Sequence, residues 1–414
     1  MPICYYPGSF LLPELTMSLP MPTRSRFATS ILVLGILLIA ANLRGPVTSI
    51  GPVLDQIIIY FGLNSSQAGM LTTLPLVAFA LASPVAANLA KKQGLEISLF
   101  IALILIGIGL SSRLIDSVFI LYIGTAIIGV GIAIGNVLLP SLIKRDFPHK
   151  VALMTSAYVL AMGIFAGSYS ALIIPLATFK NIGWAVALSC YGVMTLASII
   201  VWLPQLKLHT KPTKDILASA PNSKIWHHAL AWQITLCLGL NSFFTYIIIA
   251  WLPNILMDGG YSAQQAGVLH GTFQLATATP GLVLIPLLAK LKDQRILAIS
   301  LALIGFICFL GLLYLPSAAL IWSIFIGFSS GAIFILGLSY ISYRTNHSQQ
   351  AASLSGMAQC VGYSLAAIGP MFTGMLHAYF ENWTTTIWLC AITCLLSGVF
   401  GYLGGRDIKL DKDV

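Results

Sequence analysis

Phe27-Ala-Thr-Ser-Ile-Leu-Val-Leu-Gly-Ile-Leu-Leu-Ile-Ala-Ala-Asn-Leu-Arg-Gly-Pro-Val-Thr-Ser-Ile50 is the first long apolar run of the chain, and it holds a single charge, Arg44. Such a run is long enough to cross a bilayer as a helix, because about 20 residues at ~1.5 Å each cover a hydrocarbon layer roughly 30 Å thick. Arg44 lies seventeen residues beyond Phe27, roughly 25 Å along that helix. Holding an arginine there costs at least ~2.5–3.5 kcal/mol, so an intramembrane charge marks a functional site by default. The plainer alternative is an arginine that snorkels to the outer headgroups. Arg44 is the only Lys or Arg that the sequence puts at lipid depth.

The rest of the chain has the same character. Of its 414 residues, 58% are hydrophobic and 8% are charged, more apolar surface than a soluble domain can hide. Twelve apolar segments stand out: 27–50, 66–90, 95–113, 117–143, 151–177, 182–204, 229–252, 263–290, 295–315, 319–343, 351–379 and 383–405. Backbone polar groups in lipid must bond internally, and barrel-type alternation is absent, so these segments are expected to be helices. The fold class expected is an all-α membrane protein of twelve transmembrane helices in two pseudo-symmetric six-helix bundles.

Net charge +9 would suggest nucleic acid in a soluble protein. Here the basic residues cluster in short loops, so the bilayer is the expected partner and nucleic acid is not. An even helix number puts both termini on one side, which then holds eighteen Lys and Arg; the other side keeps only Arg113 and Lys180. That asymmetry predicts cytoplasmic N- and C-termini. A monomer is expected. Six of the seven cysteines fall in apolar segments without a Cys-x-x-Cys pair, and they read as reduced structural residues.

Residues 1–26 contain five prolines and no helical period, and are expected to be disordered. A cleaved signal peptide is disfavoured because the apolar run that follows is too long. Residues 205–228, with Pro212 and Pro221, read as a cytoplasmic linker between bundles over 27–204 and 229–405, and 406–414 as a cytoplasmic tail. The halves are related. Gly62-Leu-Asn-Ser-Ser-Gln-Ala-Gly69 matches Gly260-Tyr-Ser-Ala-Gln-Gln-Ala-Gly267 at a shift of 198, and Met154-Thr155 lies over Leu354-Ser355 at a shift near 200. Parallel six-helix repeats describe one transporter architecture, with the substrate site between them.

The repeat predicts which side chains meet at the centre. Arg44 and Thr48 are four apart on one helix face, and their counterparts Ser242 and Tyr246 are polar too. Thr72 maps to His270 and Leu76 to Gln274, again four apart. A hydrogen-bonding stripe facing lipid would be costly, so it is expected to face a cavity. The candidate substrate contacts are Arg44, Asn42, Thr48, Asn241, Tyr246, His270, Gln274 and Gln359; Asn136, Tyr158, Tyr340 and Tyr363 carry weaker signals. Each taken singly is more often helix–helix glue than a ligand contact.

All twelve Asp and Glu residues fall outside the apolar segments or at their ends, so no carboxylate is placed for a proton relay or a sodium cage. His270 is then the proton-coupling candidate, since an imidazole titrates near neutral pH; a neutral, hydrogen-bonding ring is the alternative. The chain has no His-Glu-x-x-His motif, no Walker lysine loop and no aspartate-rich pair. No cofactor, no metal and no enzymatic activity are expected.

Asn42-Leu-Arg-Gly-Pro-Val-Thr-Ser-Ile-Gly-Pro-Val-Leu54, Leu71-Thr-Thr-Leu-Pro75, Gly135-Asn-Val-Leu-Leu-Pro-Ser-Leu-Ile-Lys-Arg-Asp-Phe-Pro148 and Ala250-Trp-Leu-Pro253 resemble the cyanate/2-nitroimidazole transporter family of the major facilitator superfamily. The likeness runs from about Phe27 to Arg406, and Leu354-Ser-Gly-Met-Ala-Gln359 is similar to the 2-nitroimidazole branch. The resemblance implies alternating access, a bacterial inner-membrane location and small planar polar substrates, either cyanate-like anions or nitroimidazole-like heteroaromatics. It also implies a substrate contact for Arg44, whose planar fork suits either class. Two positions depart from the wider superfamily. Lys91 stands where a loop aspartate is usual, and Thr125 where many drug antiporters carry an arginine. Proton-coupled export of drugs or organic anions stays open as an alternative, as does, less readily, a membrane enzyme.

Overall fold

A computed structural model describes residues 26–147, 150–207, 223–288, 291, 293–346 and 348–410. Among these residues there is helix and no strand. The segment 1–25, most of the linker and the end of the tail lie outside the described residues, so the expectations made for them are not addressed.

The first crossing differs from its expected form. α1 (Arg26–Asn42) stops, α2 (Gly45–Thr48) makes one turn, a 3-10 turn covers Gly51–Val53, and α3 (Leu54–Phe61) finishes the crossing. The breaks fall where proline enters, since Pro46 and Pro52 occupy first-turn positions that need no donor. The span is therefore Phe27–Phe61, 35 residues, and Arg44 sits near its middle rather than toward its outer end. Asp55, expected outside the helices, falls in the first turn of α3.

α4 (Ser65–Gln93), α5 (Leu95–Ser111), α6 (Val118–Asp146) and α7 (Val151–Thr178) follow, and α8 (Gly183–Ser189) with α9 (Gly192–Trp202) makes the sixth crossing. The second half runs α10 (Ala229–Asp258), α11 (Ala263–Ala278) with α12 (Pro280–Leu288), α13 (Arg295–Tyr314), α14 (Ala319–Tyr343), α15 (Ser348–Phe380) and α16 (Thr384–Gly404). Among the described residues, ten spans are long and apolar enough to cross a membrane. The two helical segments short of that standard are 263–288, broken at Thr279–Pro280, and α15, whose first half is rich in Ser and Gln. These two carry most of the candidate polar residues of the second half.

The repeat is visible in detail. Asn64 and Gln67 form a reciprocal capping box at the start of α4, and Ser262 and Gln265 form the same box at the start of α11. The preceding turns use Gly62 at φ 65° and Gly260 at φ 93°, left-handed conformations that need no Cβ. At the opposite ends, buried Glu96 pairs with Arg145 at 2.8 Å, and its counterpart Gln294 bonds Arg344. Burial opposes the Arg145 charge, but Asp146 and Glu96 overcome it, and the guanidinium is held above its ordinary pKa.

The end bearing the 62–64, 179–182 and 259–262 loops is termed distal, and the end bearing Arg26 and Gly405 proximal. One apolar core lies wholly within residues 32–202. The other joins the second half to distal residues of the first, among them Ile50, Leu54, Leu71 and Ile174. The bundles therefore pack on each other distally. α4 lies against α15 and α7 against α11, and small residues allow the approach: a Cβ on Gly69 would stand 2.7 Å from the Pro370 carbonyl oxygen, and one on Gly271 2.4 Å from that of Gly167.

Candidate functional site

Arg44 sits where the first crossing is least helical. It precedes α2 with φ −135° and ψ −50°, outside the helical region. The carbonyls freed by the break find partners: Tyr191 donates to Ala41 at 2.6 Å, and Arg113 donates to Pro46 at 2.8 Å. This corrects the sequence reading of Arg113 as a loop cation. It is 1% exposed, and from the end of its span it braces the joint that presents Arg44.

The Arg44 side chain is half-buried and reaches the other bundle. Nη1 donates to Thr277 Oγ1 at 2.8 Å, and Thr277 donates to the Gln274 carbonyl at 2.7 Å. Nε and Nη2, the side-on edge of the guanidinium, make no hydrogen bond to the protein, and no carboxylate pairs with Arg44 among the described residues. A planar fork without a counter-ion, in the middle of a span, can take two acceptor atoms of one planar group. Snorkelling is excluded by this geometry, since the head points across the bundle interface.

The other candidates separate into those that join Arg44 and those that do not. Tyr246 is half-buried and within electrostatic reach of Arg44. Thr48 is buried and returns its hydroxyl to the Arg44 carbonyl at 3.3 Å, so it holds the joint. Asn42 is a correction: it bonds Leu38 O, Ser198 and Thr195 within the first bundle at 2.6 to 2.8 Å, which uses both ends of its amide. Gln359 is exposed and bonds Ser355 at 3.0 Å on the proximal half of α15, apart from the contacts made by Arg44.

His270 and Gln274 lie in the seam rather than in open space. Both are 0% exposed. His270 Nδ1 meets Ser170 Oγ of α7 at 2.5 Å, Nε2 meets the Gln274 amide at 3.4 Å, and the ring is in reach of the Ile249 carbonyl. A neutral ring with one donor and one acceptor nitrogen serves these contacts. Gln274 Oε1 and Asn241 Oδ1 are buried without a protein partner, and such acceptors call for water or a ligand. Sequence reading missed Thr277 and Ser170. Thr277 was within reach of the pattern: with His270 and Gln274 it completes an i, i+4, i+7 polar stripe on one face.

The model of the Major Facilitator Superfamily matches residues 32–367. The chain is 47% identical over 380 residues to the 2-nitroimidazole transporter of Escherichia coli (strain K12), covering 92% of this chain and 96% of that protein. It is 28% identical to the cyanate transport protein CynX of the same organism, over 85% of this chain and 91% of that one. In structure it is similar to a bacterial homologue of the human lysosomal transporter Spinster in an inward-facing, unoccupied conformation. That likeness has TM-score 0.73 at 17% identity and covers 94% of this chain and 100% of the other; at that identity it speaks for the fold.

Proposed function

The chain belongs to the Major Facilitator Superfamily, and from that premise we propose that it carries a small planar solute of the 2-nitroimidazole type across a bacterial inner membrane, with Arg44 as the central contact. Transport by alternating access is the activity of this fold. The observation that carries the solute class is the free Nε–Nη2 edge of Arg44 in mid-span, held from the other bundle by Thr277. A nitro group or a small anion offers two coplanar oxygens, or an equivalent acceptor end, to such an edge. The identity to the 2-nitroimidazole transporter favours the nitroheteroaromatic class over cyanate.

The distal seam is packed, so the conformation described is the one closed at that end. With both termini cytoplasmic, as the loop charges favour, it faces inward. A solute bound between Arg44 and the second bundle touches both halves, and rocking about the site exchanges distal for proximal contacts. His270 acts in this reading as a neutral strut of the distal seam, and Asn241 Oδ1 and Gln274 Oε1 as acceptors for water or solute.

The test is uptake of labelled 2-nitroimidazole by cells or vesicles carrying the protein. Wild type should accumulate label above an empty-vector control, and Arg44→Ala should match that control at equal expression. Full uptake by Arg44→Ala would remove the residue from the site.

A further inference from the structure

The surroundings of Arg44 are asymmetric in a way the repeat does not require. On the α7–α11 side the bundles meet through small residues: a Cβ on Gly163 would stand 2.3 Å from Ala278 Cβ. At the shift of about 200 the counterpart of Gly163 is Tyr363, and at 198 the counterpart of Thr277 is Phe79. On the α4–α15 side, accordingly, the Tyr363 and Phe79 rings meet across the bundles at a tilt, with centroids 4.2 Å apart and planes at 40°. Tyr246 and Tyr363 pack on one small cluster with Leu76, and Tyr158 and Tyr363 both pack on the core of the first bundle. Tyr363 is within electrostatic reach of Tyr246 and Tyr158, and Tyr246 of Arg44.

The hydroxyls of these three tyrosines are distinctive. Tyr122, Tyr169, Tyr191, Tyr261 and Tyr340 each donate to a backbone carbonyl of another helix or turn. Among the described residues, Tyr158, Tyr246 and Tyr363 have no hydrogen-bond partner, although all three are half-buried inside the helix assembly. A tyrosine hydroxyl in such a place usually finds a partner.

We propose that Tyr158, Tyr246 and Tyr363 form an aromatic, hydroxyl-bearing subsite beside Arg44 that selects flat aromatic solutes with acceptor groups over triatomic anions. The inference rests on the reading of Arg44 as the solute contact. Ring faces from both bundles can cover a flat heterocycle, and phenol O–H groups can donate to its ring nitrogens or oxygens while Arg44 takes the nitro or anionic end. A triatomic anion satisfies Arg44 but leaves the rings and hydroxyls without a partner.

The experiment measures the affinities of full-length protein in lipid nanodiscs for 2-nitroimidazole and for cyanate by titration. Variants are Tyr246→Phe, Tyr363→Phe, Tyr363→Leu and Arg44→Ala, each checked by its ligand-free melting curve. Wild type should prefer 2-nitroimidazole. Each Tyr→Phe change should weaken 2-nitroimidazole about three- to tenfold, the range of one net hydrogen bond. Tyr363→Leu should weaken it by about tenfold or more, the loss of an aromatic contact included. Cyanate should move by less than about twofold in all three, a site that never touches the phenols losing no hydrogen bond. Arg44→Ala should lose both ligands. Unchanged 2-nitroimidazole affinity in the tyrosine variants, with loss in Arg44→Ala, overturns the subsite alone. Unchanged affinity in Arg44→Ala overturns the underlying site. A wild type that prefers cyanate, or binds neither probe, overturns the selection proposed.

Discussion

Gly271→Ala should drive the protein out of the distal-closed conformation. The new Cβ would stand 2.4 Å from the Gly167 carbonyl oxygen and 3.2 Å from Ala171 Cβ, where 3.4 Å is the near edge of ordinary contact. α7 and α11 must then separate by about 1 Å, or the side chain must stay overpacked, and overpacking of this kind costs about 1–3 kcal/mol. The strain exists only while the two helices are pressed together, so it falls on one conformation and spares the other. At tenfold per ~1.4 kcal/mol, the equilibrium shifts about 5- to 150-fold toward distal-open. The assay is a spin-label distance between exposed Phe179 and Gln264, at the distal ends of α7 and α11, in a background with native cysteines replaced. The variant should show a new, longer distance population, and Gly69→Ala should do the same across the α4–α15 seam, where its Cβ would meet the Pro370 carbonyl oxygen at 2.7 Å. An unchanged distribution in both variants, with an unchanged melting temperature, would refute the close seam and the reasoning built on it.

Thr277→Val removes the acceptor for Arg44 Nη1 while keeping shape, and should weaken 2-nitroimidazole binding about three- to tenfold through loss of one orienting hydrogen bond; binding assays on the folded variant check this. His270 is buried with partners suited to a neutral ring, so an imposed pH gradient alone should not drive uptake in vesicles, and an overshoot on acidifying one side would contradict its role as a strut. Glu96→Ala removes one of the two carboxylates on Arg145, leaving Asp146 at 2.9 Å, and should lower stability by about 1.5–3 kcal/mol, the range of one charge-assisted hydrogen bond, read as a drop in melting temperature. Glu96→Gln should be much milder, because the second bundle already uses Gln294 against Arg344 at the equivalent place.

Much of the fold was legible because lipid permits few solutions. Apolar runs, loop charges and the 198-residue shift predicted the helices and the relation between bundles, and the paired capping boxes at Asn64 and Ser262 realise that shift at atomic level. The first crossing was ended at Ile50, yet Pro52, in the first turn of the next helical piece, lets the chain continue to Phe61. That one difference moves Arg44 to mid-span. Arg113 was misplaced for a related reason: sequence shows a cation at a segment end but not the carbonyl of Pro46 that a broken helix leaves for it.

The site was legible in outline. Helical spacing linked Arg44 with Tyr246 by repeat logic, and the same spacing would have linked Thr277 to His270 and Gln274. Sequence could not tell that His270 would be sealed in the seam, because burial there depends on the small residues Gly167 and Gly271 that let α7 and α11 touch.

The most direct test of the central claim is calorimetric titration of 2-nitroimidazole into wild-type protein and into Arg44→Lys. Lysine keeps the charge but lacks the Nε–Nη2 fork, so affinity should fall by about tenfold or more with melting behaviour preserved. Equal affinities in the two proteins would contradict the claim that the free edge of Arg44 holds the solute.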